Sequence, residues 1–301
     1  MRLRAGRGGE AALSLILDDA GFSYLPGTPM ENEALRGVSL EVRTGEVLGI
    51  LGSEGSGKTT LLRLLKGIIE PTRGELTLDG EPAVGPRGAA LLRDATGLVM
   101  QDPELHLFAA TVEEDLCFGP RNRGMGREEA RHEAALALER MGLPYSEFKG
   151  SNPLALSLGE QRKVALAGVL AMRPRYLLLD EITSGLDGEG RRRLRRVILD
   201  WKEEGNAVVL VTHDMEELQK LADRVAVLAG GRLLGCGPAR LVLEDASLLE
   251  KAGYGLPPLL ELQVRLRERG MALQGLTLDP DDLAGRIAAA LEASASGGEA
   301  G

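Results

Sequence analysis

VLGILGSEGSGKTT, Val47–Thr60, reads as an apolar strand, a glycine-rich turn and the start of a helix. Gly52, Gly57, Lys58 and Thr59 stand at the spacing G-x-x-x-x-G-K-[ST], which marks a phosphate-binding loop. The chemistry explains the residue types. Glycines let backbone N–H groups turn inward and cradle anionic oxygens, with Ser53, Gly55 and Ser56 completing the loop. The helix N-terminus at Lys58–Thr60 adds positive partial charge. Lys58 is placed to reach the outer phosphates, and the Thr59 hydroxyl to bind magnesium. A glycine-rich turn before an ordinary helix is the bland alternative, and the strand–loop–helix context weighs against it.

Outward from this loop, strands and helices alternate. LSLILDD, FSY and VSLEVRTG read as strands on the N-terminal side, with Val38, Leu40 and Val42 alternating in and out. VLGILG is a continuous apolar run, as a buried parallel strand requires. A helix is expected from Lys58 to about Ile69, then strands at ELTLDG and GLVM. Residues from about 103 to 173 turn helical, and Thr111 to Glu114 has the T-x-x-E form of a capping box. YLLLD, a helix near 188–204, AVVLVT, a helix near 214–222 and a hairpin at RVAVLAGGRLLGCG follow. The expected fold is α/β: a mostly parallel sheet covered on both faces, with an antiparallel β subdomain and a helical subdomain. The expected main domain spans 12–245, after a loose tail at 1–11. Residues 246–292 are expected to form a helical extension, with Pro257 and Pro258 opening a helix whose face carries Leu259, Leu262 and Leu266. Residues 293–301 read as a low-complexity tail.

RYLLLDE, Arg175–Glu181, ends an apolar strand in two carboxylates. Asp180 is the candidate magnesium ligand and Glu181 the candidate for orienting an attacking water. A lone Asp-Glu pair after a strand is more often a solvated turn. A phosphate loop earlier in the chain reverses that weighting.

The order Tyr24, phosphate loop, Gln101, LSLGE, LLLDE, SGLD and His213 resembles the ATPases of ABC transporters along almost the whole folded chain. The resemblance implies an ATP- and Mg2+-dependent hydrolase working as a dimer. It implies that Tyr24 stacks on adenine and that Gln101 touches magnesium and senses a membrane partner. Ser157, Gly159 and Glu160 match the signature that closes on ATP held by the opposite subunit, and Asp187 the loop crossing that interface. It also implies that His213 contacts the γ-phosphate and assists Glu181 and Lys58 in catalysis. Each has a structural alternative: a core aromatic for Tyr24, an exposed amide for Gln101, a satisfied polar group for His213, and a capping box for Ser157 with Glu160. The chain departs from the family at Leu158, where Gly is usual, and at Glu160, often Gln. Ile182 and Gly188 stand where Pro is usual. His106 stands where a second Gln is common, and His132 falls in no motif.

FSYLPGTPMENEAL, QDPELHLFAATVEEDLCFGP, VALAGVLAM and GYGLPPLLELQVRLRERG resemble the ATPases of energy-coupling factor transporters, which import vitamins or cobalt and nickel ions. That resemblance implies a second ATPase (a paralogue or the chain itself), a transmembrane coupling protein and a small membrane substrate-binding protein as partners. It places the chain on the cytoplasmic face of the membrane.

Composition agrees with these expectations. Hydrophobic residues are 44% and charged residues 27% of the 301, with a net charge of -9 and a pI near 5.1. An acidic chain argues against nucleic acid as partner. No apolar run has the length of a membrane span, and no signal-peptide pattern opens the chain. Cys117 and Cys236 read as reduced, partly buried thiols. Three rivals remain: a soluble ATPase of DNA repair or the ribosome, a cassette that binds ATP without hydrolysis, and the ATPase of another transporter class. The single phosphate loop and the absence of room for a long coiled coil oppose the first. Glu181 and His213 oppose the second, for which Leu158 speaks, and the C-terminal extension opposes the third.

Overall fold

The structure is a computed structural model describing residues 13–183, 186–255, 257–273, 275 and 277–296. The expected tail at 1–11 lies outside the described residues, as do Ser184 and Gly185 of SGLD and residues 297–301.

The chain begins with strand β1 (Ser14–Tyr24), paired antiparallel with β2 (Asn32–Arg43). LSLILDD and FSY are therefore one strand. Its register shifts between Leu17 and Phe22, where Asp19 takes φ 47°; a bulge of this kind reads in sequence as a break. In β2, Val38, Leu40 and Val42 are buried and Ser39 is exposed, as their alternation requires. Strand β3 (Val47–Leu51) is buried throughout and leads through the phosphate loop into helix α1 (Lys58–Leu65). The helix stops short of Ile69, at a turn where Gly67 has φ 70°. Strands β4 (Arg73–Leu78) and β5 (Glu81–Pro82) complete an antiparallel sheet of order β2-β1-β4-β5. Helix α2 (Gly85–Ala95), with Pro in its first turn, was not expected from GPRGAALLRDA, whose proline and two glycines are turn-forming types. It leads into strand β6 (Thr96–Val99).

The helical stretch follows: α3 (Val112–Asn122), α4 (Arg127–Arg140), α5 (Tyr145–Phe148) and α6 (Leu158–Leu170). The Thr111 side chain accepts from the Glu114 amide at 3.2 Å and so caps α3. The core then resumes with β7 (Tyr176–Asp180), α7 (Gly188–Glu203), β8 (Ala207–Val211), α8 (Met215–Leu221), β9 (Arg224–Ala229) and β10 (Arg232–Pro238). The second sheet has order β10-β9-β3-β8-β7-β6. Its pairs are parallel except the β9–β10 hairpin. Side-chain alternation sends Leu51, Leu177 and Leu179 to one face of this sheet, with the helical stretch. Leu48, Ile50 and Leu178 go to the other, with α1 and the antiparallel sheet.

Short helices α9 (Ala239–Leu243) and α10 (Ala246–Lys251) lead to α11 (Pro258–Glu268) and α12 (Pro280–Ser296). Residues 293–296, expected in the terminal tail, thus continue a helix. Helix α11 also turns a different face inward. Leu260 and Gln263 are buried, while Leu262 is 43% exposed. The reason is a polar clamp. Gln263 Nε2 donates to the Leu259 and Thr277 carbonyls at 2.7 and 2.6 Å, and the Thr277 amide donates to Gln263 Oε1 at 2.9 Å. A buried amide with both ends paired holds the following segment, and apolar spacing alone cannot reveal it. Cys117 is buried as expected, whereas Cys236 is exposed, and both are free thiols.

Candidate nucleotide site

In a parallel sheet the carboxyl ends of the strands share one edge, and ligands bind in the crevice there. Strands β3 and β7 flank β8, so the phosphate loop, the Asp180–Glu181 pair and His213 emerge at that edge.

The loop is shaped by close approach. A side chain at Gly52 would collide with Ser56 Oγ and meet the Leu228 carbonyl at 2.6 Å. Gly57 has φ 104°, and a Cβ there would strike the Ala34 carbonyl at 2.7 Å. Lys58 Nζ donates to the carbonyls of Gly52 and Ser53 at 2.6 and 2.9 Å, laying its charge along the loop. Thr59 Oγ1 donates to Asp180 Oδ2 at 3.0 Å, joining α1 to β7. Burial raises the pKa of Asp180; the Thr59 hydrogen bond opposes this and the Glu181 charge adds to it. The Glu181 amide donates to the Val211 carbonyl at 3.0 Å. Its carboxylate lies 2.9 Å from His213 Nδ1, with side-chain exposures of 14% and 72% respectively.

Tyr24, Gly52–Thr60, Gln101, Asp180, Glu181 and His213 line one cavity of 890 Å³. This volume suits a nucleotide. Tyr24 packs edge-on against Phe22 at 4.8 Å, while its hydroxyl meets Thr60 Oγ1 and Arg63 Nη1, each at 3.2 Å. A phosphate chain fits this loop: Ser56 Oγ is buried and, among the described residues, has no hydrogen-bond partner. Magnesium fits the oxygen donors Thr59, Asp180 and Gln101, because that ion is held by one or two carboxylates together with phosphate oxygens. Among the described residues there is no cluster of His, Cys, Asp and Glu that would hold a metal by itself.

Ser157, Gly159, Glu160 and Asp187 do not line this cavity. The Ser157 amide and hydroxyl donate to Glu160 Oε2 at 2.9 and 2.6 Å, and the Glu160 amide returns a bond to Ser157 Oγ at 3.4 Å, a complete capping box on α6. These bonds hold the Glu160 pKa below the usual range. Asp187 caps α7 by accepting from the Gly190 amide at 2.7 Å.

The cavity also includes residues that the motifs did not indicate: Asn32, Glu33, Ala34 and Arg36 of β2, Gly230 and Gly231, and Tyr254. The Gly230–Gly231 turn was legible as a hairpin, but its position beneath the loop depends on two contacts. The Gly231 amide donates to the Ser56 carbonyl at 3.1 Å, and the Arg36 amide to the Gly231 carbonyl at 2.8 Å.

Residues 35–184 match the ABC transporter family. The energy-coupling factor transporter ATP-binding protein EcfA2 of Clostridium perfringens is 38% identical over 86% of this chain and 91% of its own length. CbiO1 of the same organism, described as part of the ABC transporter complex cbiONQ, has a similar structure. Its TM-score is 0.70 at 32% identity, over 84% of this chain and 99% of that one. A dimeric ATP-binding cassette, MJ0796, in a post-hydrolysis state with ADP and Pi, aligns with TM-score 0.66 at 28% identity, over 75% of this chain and 99% of its own.

Proposed function

Because this chain belongs to the ABC transporter family, with energy-coupling factor ATP-binding proteins as its relatives, we propose that its cavity binds ATP and hydrolyses it to power an importer of that type. One observation carries the assignment of residues. The Thr59–Asp180 hydrogen bond brings the phosphate loop and the carboxylate strand together, with Glu181 and His213 on the same cavity. The chain is an ATP hydrolase and works with a second ATPase and membrane components. We assign the coupling-protein and substrate-binding roles among those components as part of this proposal. Its localisation follows as peripheral, on the cytoplasmic face; among the described residues no helix is long and apolar enough to cross a membrane. We divide the chain into an ATPase domain at 12–245, containing the helical subdomain 103–173, and a C-terminal extension from 246.

The residues divide the chemistry. The loop amides and Lys58 bind the phosphates, and Lys58 stabilises charge on the transferred group. Magnesium, when held by Thr59, Asp180 and Gln101, neutralises the phosphate oxygens. Glu181 orients water in line with the γ-phosphate, and His213, within hydrogen-bonding distance of Glu181, holds that carboxylate and faces the same phosphate. Tyr24 supports the base. Ser157, Gly159 and Glu160 offer a capped helix N-terminus to ATP held by the partner, and Asp187 faces the same interface.

The test is a tagged pull-down from detergent-solubilised native membranes, with every co-purifying chain identified. Recovery of a related ATPase, a polytopic membrane protein and a small membrane protein supports the reading. Recovery of the chain alone, or with ribosomes or repair proteins, removes the transporter claim and leaves the ATPase.

A further inference from the structure

Among the described residues, two buried side-chain oxygens have no hydrogen-bond partner, Ser56 Oγ and Tyr254 Oη. Both belong to residues lining the nucleotide cavity. Ser56 is part of the phosphate loop. Tyr254 comes from the C-terminal extension, roughly two hundred residues later in the chain.

Local structure explains how Tyr254 gets there. Asp245 caps α10 by accepting from the Leu248 amide at 3.0 Å. The helix ends at Gly253, whose φ of 80° is the left-handed terminus that favours glycine. The Gly253 and Tyr254 amides donate to the Glu250 and Leu249 carbonyls, each at 3.0 Å. After this cap the partly buried Tyr254 ring packs against the core cluster on the helical side of the parallel sheet.

Tyr254 shares the cavity lining with Gly52, the first residue of the loop, and with Glu181. Burial raises the phenol pKa, the Gly52 N–H opposes that rise, and the Glu181 charge adds to it. A phenol can accept from an amide and donate to a carboxylate at once. Gly52 begins the phosphate cradle and Glu181 faces the attacking water. A hydroxyl bonded to both would fix their relative position.

We propose that Tyr254 is a positioning residue of the ATPase site, through which the C-terminal extension holds Glu181 in register with the phosphate loop. The inference rests on the ATPase reading above. With ATP bound, the unpartnered hydroxyl accepts from the Gly52 amide and donates to the Glu181 carboxylate. The hydrolytic step therefore depends on the extension, while ATP binding does not.

The test compares wild type, Tyr254→Phe and Tyr254→Ala in the complex purified with its membrane partners. Tyr254→Phe removes one oxygen and keeps the ring. Its kcat should fall about five- to tenfold, the worth of one buried hydrogen bond, while KM, the Kd of a fluorescent ATP analogue and Tm stay at wild-type values. Tyr254→Ala should lose turnover and also lower Tm. Turnover by Tyr254→Phe at the wild-type rate would overturn the inference, as would a loss of turnover explained by weaker ATP binding or a lower Tm. Wild-type complex without Mg2+-dependent hydrolysis would instead remove the ATPase reading itself.

Discussion

Glu181 has φ 51°, in the left-handed region that a non-glycine residue enters only when its surroundings hold it there. The Glu181 amide bond to Val211 and the carboxylate contact to His213 provide that hold. Such a residue is built for its carboxylate, so Glu181→Gln should keep ATP affinity and lower kcat by about 100-fold or more. Equilibrium binding and steady-state turnover separate the two effects, and a variant hydrolysing at the wild-type rate would remove Glu181 from the mechanism. Lys58→Ala should do the reverse and weaken binding itself, since its ammonium lies along the loop carbonyls. Tyr24 gives a sharper test, because its ring and hydroxyl have separate tasks. The hydroxyl is spent on Thr60 and Arg63, leaving the ring as the surface for a base. Tyr24→Ala should raise the Kd for ATP about tenfold or more, the worth of about 1–3 kcal/mol of stacking. Tyr24→Phe should leave it unchanged, and a Kd that rises equally in both variants would assign the role to the hydroxyl.

At the scale of elements, α6 carries the departure from the family that matters most. Leu158 occupies its first position and is 53% exposed. At Gly159 a Cβ would meet nothing within 4 Å, and no positive φ demands glycine there. Nothing among the described residues therefore requires glycine at position 159, at the start of α6. Any requirement comes from what approaches it. If that is the partner's ATP, Leu158 obstructs the backbone amides beside Ser157. Leu158→Gly should raise turnover of the assembled complex, with only the small stability loss of a glycine in a first helical turn. Turnover that stays level or falls would show that Leu158 is not limiting. The capping box occupies the Ser157 hydroxyl and the Ser157 and Glu160 amides, so the proposed interface role would fall to the Leu158 and Gly159 amides.

Across the whole molecule, cations buried between layers report on folding. Lys66, just past α1, donates to the carbonyls of Arg93 and Thr96 at 3.0 and 2.6 Å, beside the Arg123 guanidinium. Burial first, then Arg123 and Arg93, push its pKa from 10.5 down to about 8. Between those values the unfolded chain binds the proton and the folded chain does not. The contribution of Lys66 to stability therefore rises with pH from 8 to 10.5. The unfolding free energy of wild type minus that of Lys66→Met, measured in urea, should increase across that window; a flat or falling difference would contradict the assignment. Several features of this protein were legible in the residues themselves. Strand–loop–helix order, the alternation in β2, and the Gly52–Thr59 and Asp180–Glu181 patterns are local, because a period of two, a glycine turn and a chain of motifs need no knowledge of distant contacts. The bulge in β1, the inward face of α11 and the arrival of Asn32, Gly231 and Tyr254 at the cavity were decided only by tertiary structure. Each depends on a hydrogen bond or close approach between residues far apart in the chain, such as Gln263 with Thr277 or Gly231 with Ser56. Such pairings leave no periodic trace in the sequence.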